Sequence, residues 1–236
     1  MVNPTGYREV PERGAGLVCS WTAALPAGAE PFVQRVVPDG CVDVIWSADG
    51  IQVAGPDTGP MPAAMRPGSV MAAVRFGPGA APPVLGAPAD AVRDARVPLR
   101  ELWGGAADEL ADAVAGAGSL EERRAVLVAG VRARAAVAEP VDPLVPAVVT
   151  GVAGASVREV ADAVGLGERQ LRRRSLAMFG YGPKTLQRVL RFQRALGMAR
   201  SGMPLADVAY AAGYADQAHL ANEVRALAGE PVRTLL

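Results

Sequence analysis

The last third of this chain states one pattern twice. Ser156, Val160, Ala161, Val164, Gly165, Leu171 and Gly180 are matched by Pro204, Val208, Ala209, Ala212, Gly213, Leu220 and Gly229, in the same order and about 48 residues further on. A repeat of this length is one supersecondary unit, so the C-terminal region is constrained to two similar small folds. In each copy the apolar residues fall at helical spacing, as in Val157, Val160, Ala161 and Val164. Gly165 or Gly213 then ends the helix, because glycine enters the left-handed region at little cost. A second helix follows within a few residues, carrying Leu171 or Leu220.

Helix, glycine turn, helix is the order of a helix-turn-helix, whose second helix enters a DNA major groove. The start signals agree with it. Ser156 and Glu159 have capping-box spacing, Pro204 presets φ at the equivalent start, and Asp216 is placed to cap the second helix of the second unit. The second helix of the first unit is expected from Glu168 to Met178.

Net charge is zero, yet its distribution is uneven. Residues 140–236 hold 12 Lys and Arg against 8 Asp and Glu, whereas residues 1–139 hold 12 against 16. Within residues 168–200 there are nine basic side chains and one acid, Glu168. Phosphate binding requires such a local positive surface, which the overall average conceals.

These residues carry a family resemblance. The paired units, the joint Gly180-Tyr181-Gly182-Pro183, the helix around Leu190-Arg191-Phe192-Gln193-Arg194-Ala195-Leu196, and the closing Ala228-Gly229-Glu230-Pro231 together resemble the DNA-binding domain of AraC/XylS-type transcription regulators. The likeness spans about the last 97 residues. It implies a bipartite binder of double-stranded DNA that reads two successive major grooves, for which a homodimer is optional and not required.

The resemblance implies base-facing side chains at Arg169, Arg172 and Arg173 in the first unit and at Gln217, His219 and Asn222 in the second. Arginine suits guanine, and glutamine and asparagine suit adenine. Arg174, Lys184, Thr185, Arg188 and Arg191 are the candidates for backbone phosphates, which fix register without reading sequence. The chain departs from the family at Ser175 and Val224, where phenylalanine is usual, and at Asn222, where arginine is frequent. Met178, Phe179 and Leu227 are the compensating bulk, and the arginine-rich first unit is expected to dominate affinity.

At 236 residues, half of them hydrophobic, the chain is long enough for more than one core. The fold class expected is α+β. A β-rich sensor or association domain occupies residues 1–103, a helical connector 104–139, and an all-α domain with two helix-turn-helix units 140–236. Short apolar runs separated by Gly and Pro mark strands at Leu17–Trp21, Phe32–Val37, Cys41–Trp46, Ile51–Ala54 and Val70–Phe76. They suggest a sandwich or barrel. In the connector, Gly116-Ala117-Gly118 breaks one helix, and Ser119 with Glu122 begins another whose inner face is Leu120, Leu127, Val128 and Val131. Asp142 and Pro143 read as N-cap and first residue of the next helix. Gly55-Pro56-Asp57-Thr58-Gly59-Pro60, the segment Val74–Ala80 and the closing Val97–Gly104 resemble the N-terminal domain of a compact subgroup of these regulators.

Within the strand ending at Trp46, Cys41, Asp43 and Ile45 share one face, and Val42, Val44 and Trp46 the other. Asp43 is an acid in an apolar strand. It is either a ligand contact or the partner of a backbone amide, Arg35 or Arg75, and the second reading is favoured. Cys41, Asp43, Trp46 and Arg75 form the candidate effector site, for a small molecule whose identity the sequence leaves open. The alternative is a front half that contacts a protein such as RNA polymerase and binds no effector.

Several classes are disfavoured. Two cysteines are too few for a disulfide framework, and with a single histidine they make no metal centre. No Ser-centred elbow, P-loop or dinucleotide fingerprint stands in its proper strand-to-helix context, so neither an enzyme nor a cofactor is expected. Without an apolar run of about 18 residues or a charged-then-apolar leader, the chain is expected to be cytoplasmic, with no membrane partner.

Overall fold

A computed structural model describes residues 5–236. Among the described residues the front half holds eight strands, five of them on the expected apolar runs: β1 (Arg8–Pro11), β2 (Leu17–Ala24), β3 (Phe32–Val36), β4 (Val42–Ser47), β5 (Gly50–Ala54), β6 (Met61–Met65), β7 (Val70–Phe76) and β8 (Arg96–Pro98). Six of them form one antiparallel sheet in the order β1-β2-β7-β4-β5-β8, and β3 pairs with β6 in a separate ribbon. The large sheet keeps two free edges rather than closing on itself. β1, β6 and β8 lie outside the strand runs expected from the sequence.

Alternation along the strands gives the sheet two different faces. Val42, Val44 and Trp46 on β4, Ile51 and Val53 on β5, and Ala72, Val74 and Phe76 on β7 join one core. The opposite face carries Cys19, Trp21, Ala23, Ile45 and Ala73, packed with Phe32 and Met65 of the ribbon. A register shift between Leu17 and Cys19 lets β2 change faces, turning Leu17 to the first core and Cys19 to the second. Val18, at the irregularity, is left 46% exposed.

Helices cover the first face. After α1 (Pro82–Leu85) and α2 (Arg100–Trp103) come α3 (Gly105–Ala115) and α4 (Leu120–Ala136). Ser119 Oγ accepts from Glu122 N while Glu122 Oε2 accepts from Ser119 N, which closes the expected capping box. Leu127 and Val131 are fully buried against the sheet, with Leu120 and Val128 packed beside them. A polar tie adds direction, since Glu12 takes Arg124 at 3.3 Å and Arg132 at 2.7 Å. The two connector helices therefore share the core of the front half.

The C-terminal region is all helix: α5 (Leu144–Val152), α6 (Val157–Ala163), α7 (Glu168–Phe179), α8 (Pro183–Arg200), α9 (Leu205–Ala211) and α10 (Gln217–Ala228). The α5 start differs slightly from expectation. Pro143 stands at the cap position, and Asp142 Oδ1 accepts from Leu144 N at 2.9 Å. The repeat is reproduced in length, with seven residues in α6 and α9 and twelve in α7 and α10. Gly165 and Gly213 make the turns at φ +67° and +78°.

Each unit owns a core. Val148, Val160, Leu171, Phe179, Leu186 and Val189 form one, and Phe192, Leu196, Val208, Leu220, Val224 and Leu227 the other. α8 supplies residues to both, and its 18 residues span about 27 Å. Ser175 is fully buried at the position where the family carries phenylalanine, and its hydroxyl has no partner in the structure. Met178 and Phe179 fill the space beside it.

Candidate nucleic-acid interface

The second helix of each unit presents its polar face to solvent, because Leu171, Ser175 and Met178 on α7, and Leu220, Val224 and Leu227 on α10, take the inward positions. Arg169, Arg172 and Arg173 are all exposed on α7. None of the three has an ion-pair partner among the described residues. Three guanidinium groups within five positions repel one another, so a surface left in this state is suited to an anion arriving from outside.

On α10, Gln217, His219 and Asn222 are likewise exposed. Asp216 caps this helix by accepting from His219 N at 2.7 Å. The His219 ring meets Tyr214 edge-on, and its Nδ1 accepts from Ala215 N at 3.3 Å. That bond commits Nδ1 as acceptor and leaves Nε2 as the outward donor of the neutral ring. Asp216→Ala is expected to destabilise the chain by about 1 kcal/mol, read as a lower urea midpoint with an unchanged slope.

The five phosphate candidates divide. Lys184 is exposed and Thr185 half-buried in the first turn of α8, behind the cap Gly182 and Pro183, where the helix dipole favours an anion. Arg174 instead pairs with Asp142 at 2.8 Å. Arg188 makes two bonds to Glu223, at 2.8 and 3.1 Å, and Arg191 approaches the same carboxylate at 3.5 Å while stacking over Tyr214. Glu223 lies on α10, so this cluster ties the second recognition helix to the linking helix.

The hydrogen bond from Arg188, with the nearby Arg191 charge, holds the Glu223 carboxyl below its ordinary range. A carboxyl lowered by folding contributes stability above its unfolded value of 4.5 and loses it as pH falls through the folded value. Between about pH 5 and 3 the melting temperature of the wild type should therefore fall more steeply than that of Glu223→Gln. Calorimetry over that range measures the difference.

The front half holds its own ionic cluster. Arg75 bonds both oxygens of Asp43 at 2.8 Å, Trp21 Nε1 donates to Asp43 at 3.3 Å, and Asp39 lies 3.5 Å from the same guanidinium. Burial pushes the Asp39 carboxyl up, with Arg75 pulling against it, and burial pushes the Cys19 thiol up to about 12. Cys41, Asp43 and Arg75 are thus gathered on one side of the sheet. Trp46 is not among them. It faces the opposite core, where Arg123 stacks on it at 4.9 Å, because the period-two alternation of β4 keeps it apart from Asp43.

An open groove of about 560 Å³ lies between the halves, with Pro82, Pro88, Pro143, Met178 and Arg174 on its walls. Residues that join the halves were invisible to sequence reasoning. Gln193 Nε2 donates to Pro38 O at 2.6 Å, and Tyr181 buries its ring near Gly40 with its hydroxyl unpartnered. For Glu223, the usable signal was an acid within α10 opposite two arginines one turn apart on α8.

Two helical cores that share one long helix, each presenting an exposed polar helix, have the form of a DNA-binding transcription regulator of the paired helix-turn-helix class. Residues 160–236 match a helix-turn-helix domain family of the AraC type. Residues 17–98 match a domain of unknown function, DUF6597. No curated protein matches the chain.

Among solved structures, the chain is similar to an apo single-substitution variant of ToxT from Vibrio cholerae strain SCE256, at 9% identity and TM-score 0.46, covering 87% of this chain and 92% of that one. ToxT from Vibrio cholerae in another crystal form gives 10% identity and TM-score 0.44, covering 87% and 97%. Wild-type ToxT with unsaturated fatty acid bound, from strain SCE256, gives 7% and 0.43, covering 87% and 94%. Among the described residues no helix is long and apolar enough to cross a membrane.

Proposed function

We propose that this chain is a sequence-specific regulator that engages one duplex with both units, α7 and α10 entering successive major grooves. The observation that carries the reading is that Arg169, Arg172 and Arg173 stand exposed and without an acidic partner on one helix, whereas Arg174, Arg188 and Arg191 are each paired with an acid. In this reading those three, with Gln217, His219 and Asn222, meet base edges. Lys184 and Thr185 meet phosphates directly, whereas Arg174, Arg188 and Arg191 reach them only by exchanging Asp142 or Glu223 for a phosphate oxygen. The site of action is the cytoplasm, and RNA polymerase and a second copy of the chain are the further partners proposed.

The front half modulates this binding. At Asp43 both carboxylate oxygens are used by Arg75 and Trp21, which favours a structural acid over an effector ligand there. That supports the second reading, in which the front half is an interaction module with no small-molecule effector. A small molecule entering beside Cys41, Asp43 and Arg75 has to displace this bonding.

Selection of bound sequences from a random duplex library by the full chain tests the proposal. Two conserved half-sites about one helical turn apart are expected, with affinity falling steeply as salt rises. Salt-independent binding or an unenriched library refutes it.

A further inference from the structure

The two recognition helices end alike. α7 closes on Gly180 at φ +82° and α10 on Gly229 at φ +70°, the equivalent glycines of the repeat. Both caps lie against one loop of the front half, residues 55–60 between β5 and β6. A Cβ on Gly180 would stand 2.5 Å from Pro56 Cγ and 3.2 Å from the Ala89 carbonyl oxygen, and a Cβ on Gly229 would stand 3.2 Å from Pro60 Cγ. Each contact has a polar anchor. Arg93 Nη1 donates to Gly180 O at 2.8 Å, and Arg35 Nη1 pairs with Glu230 at 2.6 Å.

The loop is itself held from behind. Gly55 N donates to Ala95 O, Asp94 N donates to Pro56 O, and Thr58 N donates to Asp94 Oδ1. Asp57 takes Arg96 through both oxygens, at 2.9 and 2.8 Å. Gly55 backs onto the Val92 carbonyl so closely that a Cβ would fall 1.7 Å from its oxygen. A loop restrained at this many points transmits position rather than yielding to it.

We infer that the front half is a brace: the 55–60 loop, with Arg35 and Arg93, holds the two helix-turn-helix units at one mutual setting. The two cores otherwise communicate through α8 and the side chains it carries, so the loop is a second route between them. It grips the C-terminal ends of α7 and α10, leaving exposed the N-terminal turns that carry Arg169, Arg172, Gln217 and His219. The brace rests on the reading that both units bind one duplex. Given that, the number of base pairs tolerated between the half-sites is set by the front half together with α8.

The test uses the full chain and the two-part site that the wild type selects, with the half-site spacing changed by one or two base pairs. Wild type is expected to lose about tenfold or more in affinity on the altered spacings, because geometry then forbids simultaneous engagement. Arg35→Glu with Arg93→Ala is expected to shrink that loss to about threefold or less, with affinity for one half-site alone unchanged. Adding Glu230→Arg, which restores the ion pair with reversed sense, is expected to return part of the spacing dependence. A released variant with the wild-type spacing profile overturns the brace. So does tighter binding at the selected spacing, which would make the docked front half an obstruction, or loss of half-site binding, which would make these contacts part of each unit's own fold. A wild type that selects only a single half-site refutes the two-groove reading itself, and the brace falls with it.

Discussion

Replacing Arg169, Arg172 and Arg173 together by alanine is expected to weaken binding to the selected site by about two to four orders of magnitude. Each good arginine-to-base contact contributes about 1–3 kcal/mol of discrimination, and neighbouring contacts do not add fully. The loss should be accompanied by relaxed preference at the first half-site, while the second keeps its own. Fold is expected to survive, since all three side chains lie in solvent and no buried group depends on them. Fluorescence anisotropy with selected and scrambled duplexes measures both quantities. A uniform loss across all sequences would instead place these arginines on phosphates, and each would then flatten the salt slope by about 0.9.

The second large effect is on stability. Arg75→Ala should destabilise the chain by about 3–5 kcal/mol, because it strands Asp43, 9% exposed, beside the half-buried carboxyl of Asp39. Such a loss is a large share of what holds a domain of this size together. The double change Arg75→Met with Asp43→Asn removes both charges at similar volume and should recover most of that loss, leaving a deficit of about 1 kcal/mol. Urea denaturation of the two variants separates the outcomes. Equal destabilisation by both would mean that the side-chain shapes, rather than the ion pair, are what the sheet requires.

Local rules explain which features were readable in advance. The capping boxes at Ser119 and Ser156, the cap at Asp216, the turns at Gly165 and Gly213, and the extent of α7 each depend on residues within a few positions, so the sequence displays them. β6 is different. Met-Pro-Ala-Ala-Met has little intrinsic preference for a strand, and it is one because Phe32–Val36 lies alongside. β8 is three residues ending in proline and owes its conformation to β5. The irregularity that moves β2 from one face of the sheet to the other leaves no mark in composition.

At the interface the limit is charge pairing. Composition showed a basic region, yet which arginines are free follows from acids that lie far along the chain. Glu223 neutralises Arg188 from 35 residues away, and Asp142 takes Arg174 from 32. Arg35 meets Glu230 across 195 residues. Counting charges therefore overstated the surface open to phosphate, while the exposure of the three arginines of α7 follows from the pattern that makes Leu171 face inward.

The exposed faces of α7 and α10 are carried by one polypeptide and are chemically unlike, one a run of arginines and the other Gln217, His219 and Asn222. A pair of identical subunits can be turned end for end on its operator without consequence, but this molecule has a head and a tail. If both units bind one duplex, as proposed, the asymmetry gives every occupied site a direction, so whatever the front half presents points consistently toward or away from the start of a neighbouring gene.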